Sequence, residues 1–179
     1  MMKVKRKVCL LGDGGVGKTS LIRRFVLNTF DDEYLVTIGT KVSKKVLEFK
    51  HPEKEQDVEL TMAIWDIMGH MGVTRVHTSY LLGAKGALVV SDLSRKSTLE
   101  GCRKWIDLVR EKEPDIPVIL LANKSDLIGK KEMGVEMWEY EEGEVSDFAK
   151  EYGFSYHLTS AKDGKNVESS FEELGKHWL

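Results

Sequence analysis

The sequence predicts an α/β domain with a mostly parallel sheet and helices on both of its faces. Two short, continuously apolar runs, Gly86–Asp92 and Pro117–Ala122, are typical of parallel strands at the centre of a sheet. After a first hairpin, strand-like runs alternate with segments whose apolar residues follow helical spacing. That alternation predicts right-handed crossover connections and a sheet that is covered on both sides.

The elements can be assigned in order along the chain. The predicted strands are residues 3–11, 40–49, 58–66, 86–92, 117–122 and 154–158. The predicted helices are residues 18–28, 97–112, 146–152 and 166–178. His51 and Pro52 separate the second and third strands, which are predicted to form a hairpin with a long loop. Residues 127–143 carry three glycines and many charges, and predict an irregular loop.

Length and composition favour a single domain that covers residues 1–179. Hydrophobic residues make up 41% of the chain and charged residues 31%, which excludes a disordered polyelectrolyte. A formal net charge of -2 argues against binding of nucleic acid. No apolar run reaches about 18 residues, so no transmembrane helix is predicted. The two cysteines, Cys9 and Cys102, are expected to be reduced thiols in a cytoplasmic protein.

A glycine-rich motif lies between the first predicted strand and the first predicted helix. It fits the pattern G-x-x-x-x-G-K-[ST] over residues 12–19. Glycines let successive backbone N–H groups converge on a phosphate, and the following helix adds its N-terminal donors and dipole. Lys18 is expected to reach the β- and γ-phosphates, and the Thr19 hydroxyl to bind Mg²⁺. The predicted phosphate-binding residues here are Asp13, Gly14, Gly15, Val16, Gly17, Lys18, Thr19 and Ser20.

A second motif predicts which base is bound. Asn123, Lys124 and Asp126 directly follow an apolar strand, and ligands of open α/β sheets bind at the carboxyl ends of strands. A carboxylate such as Asp126 can accept hydrogen bonds from the N–H and amino group of guanine, whereas adenine offers no such donor pair. The aliphatic part of Lys124 is expected to cover one face of the base. One strand later, Ser160, Ala161 and Lys162 can supply backbone N–H donors to the guanine oxygen.

These motifs together resemble those of a small GTPase of the Ras superfamily, and most closely those of its Rab branch. Residues 37–39 (Thr-Ile-Gly) resemble switch I, residues 65–69 (Trp-Asp-Ile-Met-Gly) resemble the start of switch II, and Trp105 is similar to a tryptophan of the third helix. The resemblance implies a six-stranded sheet in the order 2-3-1-4-5-6, with the second strand antiparallel at the edge. Independently, that strand carries Lys41, Lys44 and Lys45, and lysines commonly protect an edge strand.

The resemblance also implies roles for individual residues. Thr37 would bind Mg²⁺ through its hydroxyl and the γ-phosphate through its N–H, and Asp66 would hold the metal through water. Gly69 would donate its N–H to the γ-phosphate. Phe30 would pack beside the guanine, and Tyr34 would lie over the phosphates.

Switch II departs from the family pattern. Met68 replaces an alanine and His70 replaces a glutamine. Three residues are candidates for catalysis: His70 would orient the attacking water together with the Thr37 carbonyl, and Lys18 would act electrostatically on the phosphates. His70 can equally be a surface residue of a mobile segment. His70 and His77 could also share a helical face as metal ligands, but no third ligand is evident. No arginine is obviously placed to assist the reaction, since Arg75 usually has a structural role.

The function implied is a Mg²⁺-dependent GTP-binding switch that hydrolyses GTP slowly, in signalling or intracellular trafficking. Its expected partners are effectors, exchange factors and GTPase-activating proteins, bound through switch I (29–41) and switch II (66–80). A monomer without stable membrane anchoring is expected, because the chain carries no lipidation motif. The alternative is a non-hydrolysing GTP-binding scaffold. A P-loop kinase or ATPase is disfavoured by residues 123–126.

Overall fold

The computed structural model describes residues 1–31, 39–53, 56–69 and 75–179, with the backbone alone for residues 75–77. The strands of the main sheet are β1 (Met2–Leu11), β2 (Thr40–Lys50), β3 (Asp57–Ile67), β4 (Gly86–Asp92), β5 (Val118–Asn123) and β8 (Ser155–Leu158). Two further short strands are β6 (Lys131–Glu132) and β7 (Val135–Glu136). The helices are α1 (Lys18–Leu27), α2 (Arg75–Leu81), α3 (Lys96–Lys112), α4 (Glu142–Tyr152) and α5 (Val167–Lys176).

The main sheet has six strands in the order β2-β3-β1-β4-β5-β8. Strand β2 pairs antiparallel with β3, and all other neighbours in this sheet are parallel. The predicted α/β fold and the order 2-3-1-4-5-6 are therefore confirmed, with β8 as the sixth strand of that sheet. The predicted edge lysines lie on β2.

Two hydrophobic cores form because the central strands are buried on both faces. On β1, Val8 and Leu10 pack toward α1 and α5, while Cys9 and Leu11 pack toward α3 and α4. Phe25 of α1 and Phe171 of α5 lie parallel with ring centroids 4.0 Å apart. This packing fixes the carboxyl ends of the parallel strands at one edge of the molecule, where the candidate site lies.

The structure differs from the sequence prediction in four elements, α2, β6, β7 and α4. Helix α2 was not predicted, nor was the hairpin of β6 and β7 within residues 127–143. Helix α4 begins at Glu142 rather than at Ser146, because Glu141 and Glu144 form a reciprocal capping box at its start. No helix in the described part of the chain is long and apolar enough to cross a membrane.

Candidate functional site

The loop between β1 and α1 has a shape that only glycine permits at two positions. Gly12 and Gly17 have φ angles of 144° and 104°. A Cβ atom at Gly12 would lie 2.3 Å from the Val90 carbonyl oxygen, and one at Gly17 would lie 2.3 Å from Asn123 Nδ2. The loop therefore follows its path closely against the ends of β4 and β5.

Lys18 places its positive charge inside this loop. Its side chain is buried, and Nζ donates to the carbonyl oxygens of Gly12 at 2.7 Å and Asp13 at 2.9 Å. Burial lowers the pKa of Lys18 to about 8, although the charges of Asp66 and Asp13 oppose that change. A buried ammonium surrounded by converging backbone groups is a site suited to an anion.

Asn123 connects three loops of the site. Its Nδ2 donates to the carbonyl oxygen of Val16 at 2.9 Å. Its Oδ1 accepts hydrogen bonds from the Thr159 hydroxyl at 3.2 Å and from the Ala161 N–H at 3.3 Å. The sequence predicted Asn123 as a guanine-binding residue, and in the structure its side chain joins the glycine-rich loop to the loop after β8.

The predicted base-binding residues of the two strand-end motifs come together at the ends of β5 and β8. Asp126 lies in a short 3₁₀ helix, and its Oδ1 accepts a hydrogen bond of 2.8 Å from the Ser160 hydroxyl. Arg24 of α1 donates to the carbonyl oxygens of Ala161 at 2.8 Å and Lys162 at 2.5 Å. The carboxylate, the loop and the helix are thus held together where a base could enter.

Lys124 has a left-handed backbone, with φ of 68°, and its ammonium lies 2.7 Å from the Asp92 carboxylate. Asp92 is fully buried at the end of β4. The same carboxylate accepts a bond from Arg95, which also donates to the carbonyl oxygen of Gly14 at 2.9 Å. Sequence reasoning missed Asp92 and Arg95, although the position of Asp92 at the carboxyl end of a central strand was an available signal.

Two oxygen-bearing side chains meet beside the loop at the predicted metal position. The Thr19 hydroxyl donates to Asp66 Oδ2 at 2.5 Å, and Asp66 Oδ1 is buried without a hydrogen-bond partner among the described residues. Burial raises the pKa of Asp66, while the Thr19 hydroxyl and the charge of Lys18 act in the opposite direction. Hydroxyl and carboxylate oxygens are hard ligands of the kind Mg²⁺ prefers, so the donor set fits that ion.

The Asp13 side chain points away from the loop interior. Its Oδ1 accepts a 3.0 Å hydrogen bond from the indole N–H of Trp105, and a Cβ at Gly101 would lie 2.3 Å from its Oδ2. Only the backbone of Asp13 is therefore available to a bound phosphate. Helix α3 supports the loop through this contact.

Gly69 lies directly against the loop. A Cβ at this position would come within 2.4 Å of the Gly12 carbonyl oxygen and within 2.6 Å of Lys18 Nζ. Phe30 packs at the margin of the core that contains α1 and lines a cavity of about 510 Å³ between α1 and β2. Thr37, Tyr34 and His70 lie outside the described residues, as do parts of both predicted switch segments.

An apolar surface continues from the start of switch II across the edge of the sheet. The Trp65 and Tyr80 rings lie 6.2 Å apart by their centroids, and Lys7 Nζ lies 3.9 Å from the Trp65 ring centroid. Val42 pairs with Trp65 across β2 and β3, and it is 51% exposed. Trp65 and Tyr80 are half-buried, so Val42 is the exposed part of this surface, and an apolar surface of this kind bordered by lysine is suited to protein contact.

Comparison with known proteins gives two findings. The family model described as the Ras family matches residues 7–179. The chain is also 34% identical over 180 residues to Ras-related protein Rab-32A of Dictyostelium discoideum, and this match covers 97% of the chain and 77% of that relative.

Proposed function

The chain belongs to the Ras family of small GTP-binding switch proteins and is Rab-like, and from this premise we propose that it binds GTP or GDP with Mg²⁺ and slowly hydrolyses GTP to GDP and phosphate. The observation that carries the proposal is the buried Lys18 ammonium inside the glycine loop, with Asp126 at the neighbouring strand end. The first binds the phosphates and the second selects guanine. Residues 1–179 act as one domain in this proposal.

The phosphates would occupy the loop around Lys18. Residues 13–20 supply backbone N–H groups, and the N-terminus of α1 adds a favourable dipole for an anion. The γ-phosphate would also reach the N–H of Gly69, which lies against Gly12 and Lys18. Charge-assisted hydrogen bonds of this kind are about twice as strong as neutral ones, so they account for tight binding of a polyphosphate.

Guanine would bind between the loops after β5 and β8. Asp126 would accept bonds from the ring N–H and the amino group, and the Ala161 region would donate to the base oxygen. The aliphatic part of Lys124 would cover one face of the base, and Phe30 would pack at its edge. Asn123 supports this arrangement by its bonds to Val16 and Ala161.

Thr19 and Thr37 would hold Mg²⁺ directly, and Asp66 would hold it through water. The ion supplies neutralisation of phosphate charge when bound. The buried, unpartnered Asp66 Oδ1 supports this assignment, because a buried carboxylate oxygen without a donor is costly unless it is satisfied. The oxygen of the Thr19 hydroxyl would bind the cation through a lone pair, while its O–H would continue to donate a hydrogen bond to the Asp66 carboxylate.

Hydrolysis would depend mainly on positioning. Lys18 and the loop N–H groups would stabilise charge on the phosphates, and the Thr37 carbonyl and His70 would orient the attacking water. Neutral imidazole can accept a hydrogen bond from that water, whereas the protonated ring can only donate. When the γ-phosphate leaves, Thr37 and Gly69 lose their shared anchor, and both switch segments can relax.

Partner proteins would recognise this conformational change by binding to switch I and switch II. Val42 directly follows switch I, Trp65 directly precedes switch II, and Tyr80 is the last residue of switch II, so this surface would contribute to effector binding. Exchange factors and GTPase-activating proteins are expected at the same segments, and the protein would act as a monomer in the cytoplasm. Two buried free cysteines, Cys9 and Cys102, support a reducing compartment.

The second candidate is a GTP-binding scaffold that does not hydrolyse GTP. Met68 favours it, because a long side chain precedes the glycine that lies on the phosphate loop. Single-turnover hydrolysis separates the two functions. The scaffold predicts rates equal to those of free GTP, whereas the switch predicts rates that fall when His70 is replaced by alanine and that rise or stay unchanged in Met68→Ala.

The primary experiment identifies the nucleotide carried by the purified protein by mass spectrometry, followed by competition with GTP and ATP. We expect GDP or GTP to be carried, with strong discrimination against ATP. Lys18→Ala should abolish most of the binding, while Lys150→Ala, on the exposed face of α4, should not. Equal competition by ATP and GTP would overturn the proposal.

A further inference from the structure

Arg95 lies in the turn between β4 and α3, where its backbone is held by several hydrogen bonds. Its N–H donates to the Asp92 carbonyl oxygen at 2.9 Å. Its carbonyl oxygen accepts bonds from the Thr98 N–H at 3.0 Å and the Thr98 hydroxyl at 2.7 Å. The Asp92 N–H donates back to the Thr98 hydroxyl at 2.8 Å. The point from which the Arg95 side chain projects is therefore fixed.

The guanidinium of Arg95 connects a buried carboxylate to the phosphate loop. Its Nε donates to Asp92 Oδ2 at 3.1 Å, and its terminal nitrogen donates to the Gly14 carbonyl oxygen at 2.9 Å. The Asp92 carboxylate is completed by Ser94 and by Lys124 of the base-binding motif. The positive charge of Arg95 is paired with the Asp92 carboxylate, so the main effect of Arg95 at Gly14 is to orient the Gly14 carbonyl group.

The bond to Gly14 orients the peptide that joins Gly14 to Gly15. The C=O and N–H of a trans peptide point in opposite directions. A Gly14 carbonyl that points outward to Arg95 therefore turns the Gly15 N–H to the opposite side of the loop. Asn123 holds the Val16 carbonyl in the same way, and so turns the Gly17 N–H.

We propose that Arg95 is a positioning residue of the phosphate site, which holds the Gly14 carbonyl outside the loop and thereby aims the Gly15 N–H at the phosphates. The inference rests on the proposed nucleotide binding, and it adds a residue from outside the glycine motif. Asp92 fixes both Arg95 and Lys124, so the same carboxylate couples the phosphate end of the site to the base end.

The test compares Arg95→Ala, Arg95→Lys and Arg103→Ala with the wild-type protein. Arg103 is the matched control, because it lies in α3, the helix that follows Arg95, and its guanidinium bonds to Glu151 and Tyr152 away from the loop. The measurements are GDP release, the affinities for GDP and GMP, the ³¹P spectrum of bound GDP and the melting temperature. GMP has no β-phosphate for the loop to bind.

We expect Arg95→Ala to release GDP about tenfold faster and to bind it about tenfold more weakly, as for the loss of one hydrogen bond from a charged group. GMP affinity should change by less than about twofold, and the β-phosphate resonance of bound GDP should shift. Arg95→Lys should recover part of the loss, because one ammonium cannot bridge Asp92 and Gly14 in the same fork. Arg103→Ala should leave all nucleotide measurements unchanged.

Two results would overturn the inference while wild-type protein binds GDP. One is unchanged GDP release in Arg95→Ala. The other is an equal loss of GDP and GMP affinity that follows the melting temperature, since this would indicate a general structural role. A wild-type protein that binds no guanine nucleotide would instead overturn the proposed function.

Discussion

Trp105 of α3 donates its indole N–H to the Asp13 carboxylate of the phosphate loop at 3.0 Å, across 92 residues of sequence. The tryptophan is 5% exposed, and Gly101, one turn earlier on the helix, lets the same carboxylate approach the helix surface. A loop residue that could have faced the ligand is instead used to attach the loop to the protein.

Trp105→Phe should therefore lower the free energy of unfolding by about 2 kcal/mol, because a partly buried hydrogen bond to a charged acceptor is lost. Urea denaturation of the nucleotide-free protein measures the change. Trp178→Phe is the control, since that indole donates to the Lys85 carbonyl at an exposed position. Equal losses in the two variants would contradict a special role for the Asp13 contact.

Asp92 should contribute to acid sensitivity. Burial alone would raise the pKa of its carboxyl, but hydrogen bonds from Lys124 and Ser94 outweigh burial and hold the pKa below its ordinary value of 3.8. A carboxyl whose pKa is lower in the folded state than in the unfolded state stabilises the protein fully at pH values above 3.8. This stabilisation is lost as the pH falls below 3.8 and through the folded-state pKa. Asp92→Asn should therefore show a smaller loss of stability on acidification than wild type.

At neutral pH, Asp92→Asn should be less stable than wild type by about 2–3 kcal/mol, since Arg95 and Lys124 lose their buried partner but remain partly exposed. Urea unfolding at a series of pH values between 7 and 3 gives both quantities. Asp147→Asn, at an exposed site, should reproduce the wild-type curve. An identical acid slope in Asp92→Asn and wild type would show that Asp92 does not titrate as described.

Asp126→Asn should move nucleotide preference from guanine toward xanthine. The amide supplies a donor where xanthine has an oxygen, and it no longer accepts both guanine donors. The loss of two charge-assisted bonds should weaken GTP binding by about 100-fold or more. The amide oxygen can still accept the bond from Ser160, so the loop itself should stay in place.

Competition of GTP and XTP against a fluorescent GDP measures this change in Asp126→Asn. Asp163→Asn is a suitable control, because Asp163 lies in the same loop as Ser160 and bonds to the backbone of Lys165. If Asp126→Asn keeps the full preference for GTP over XTP, the guanine base does not bind at Asp126.

Gly69→Ala should weaken the response to the γ-phosphate. The added Cβ would lie 2.4 Å from the Gly12 carbonyl oxygen, so this segment has to move off the phosphate loop. The ratio of GTP to GDP affinity should fall by about tenfold, as one hydrogen bond to a charged phosphate is lost. Equilibrium titration with GDP and a slowly hydrolysed GTP analogue measures that ratio.

Gly143→Ala provides the comparison for Gly69→Ala. Gly143 lies in α4, where an added Cβ would meet no other atom within 4 Å, and alanine is the better helix former by about 1 kcal/mol. It should therefore stabilise the protein slightly and leave the affinity ratio unchanged. If the ratio of GTP to GDP affinity is unchanged in Gly69→Ala, Gly69 does not contribute to γ-phosphate binding.

Sequence reasoning recovered the sheet because the central strands are continuous apolar runs, and β4 was predicted with the bounds that the structure has. It missed β6 and β7, since two-residue strands at exposed positions leave no periodic pattern. It also missed α2, because this helix has only seven residues and lies almost wholly within the segment predicted as switch II.

The motifs predicted the phosphate and base loops, but they did not predict the direction of each side chain. Asn123 belongs to the base motif by sequence, yet its amide holds Val16. Arg95 belongs to no motif and reaches Gly14 across 81 residues. Such contacts follow from the sheet order, which places β1 beside β4, and no local pattern encodes them.

The attachment of the phosphate loop to distant residues bears on protein synthesis. A growing chain carries the complete glycine-lysine motif once residue 19 is made, but Arg95, Trp105 and Asn123 follow much later. Asn123 itself depends on Thr159 and Ala161. We therefore expect ribosome-bound chains in which Thr159 has not yet emerged from the ribosome to retain no nucleotide. Chains from which Ala161 has emerged should begin to retain it, which incubation of ribosome-bound chains with labelled GDP would reveal.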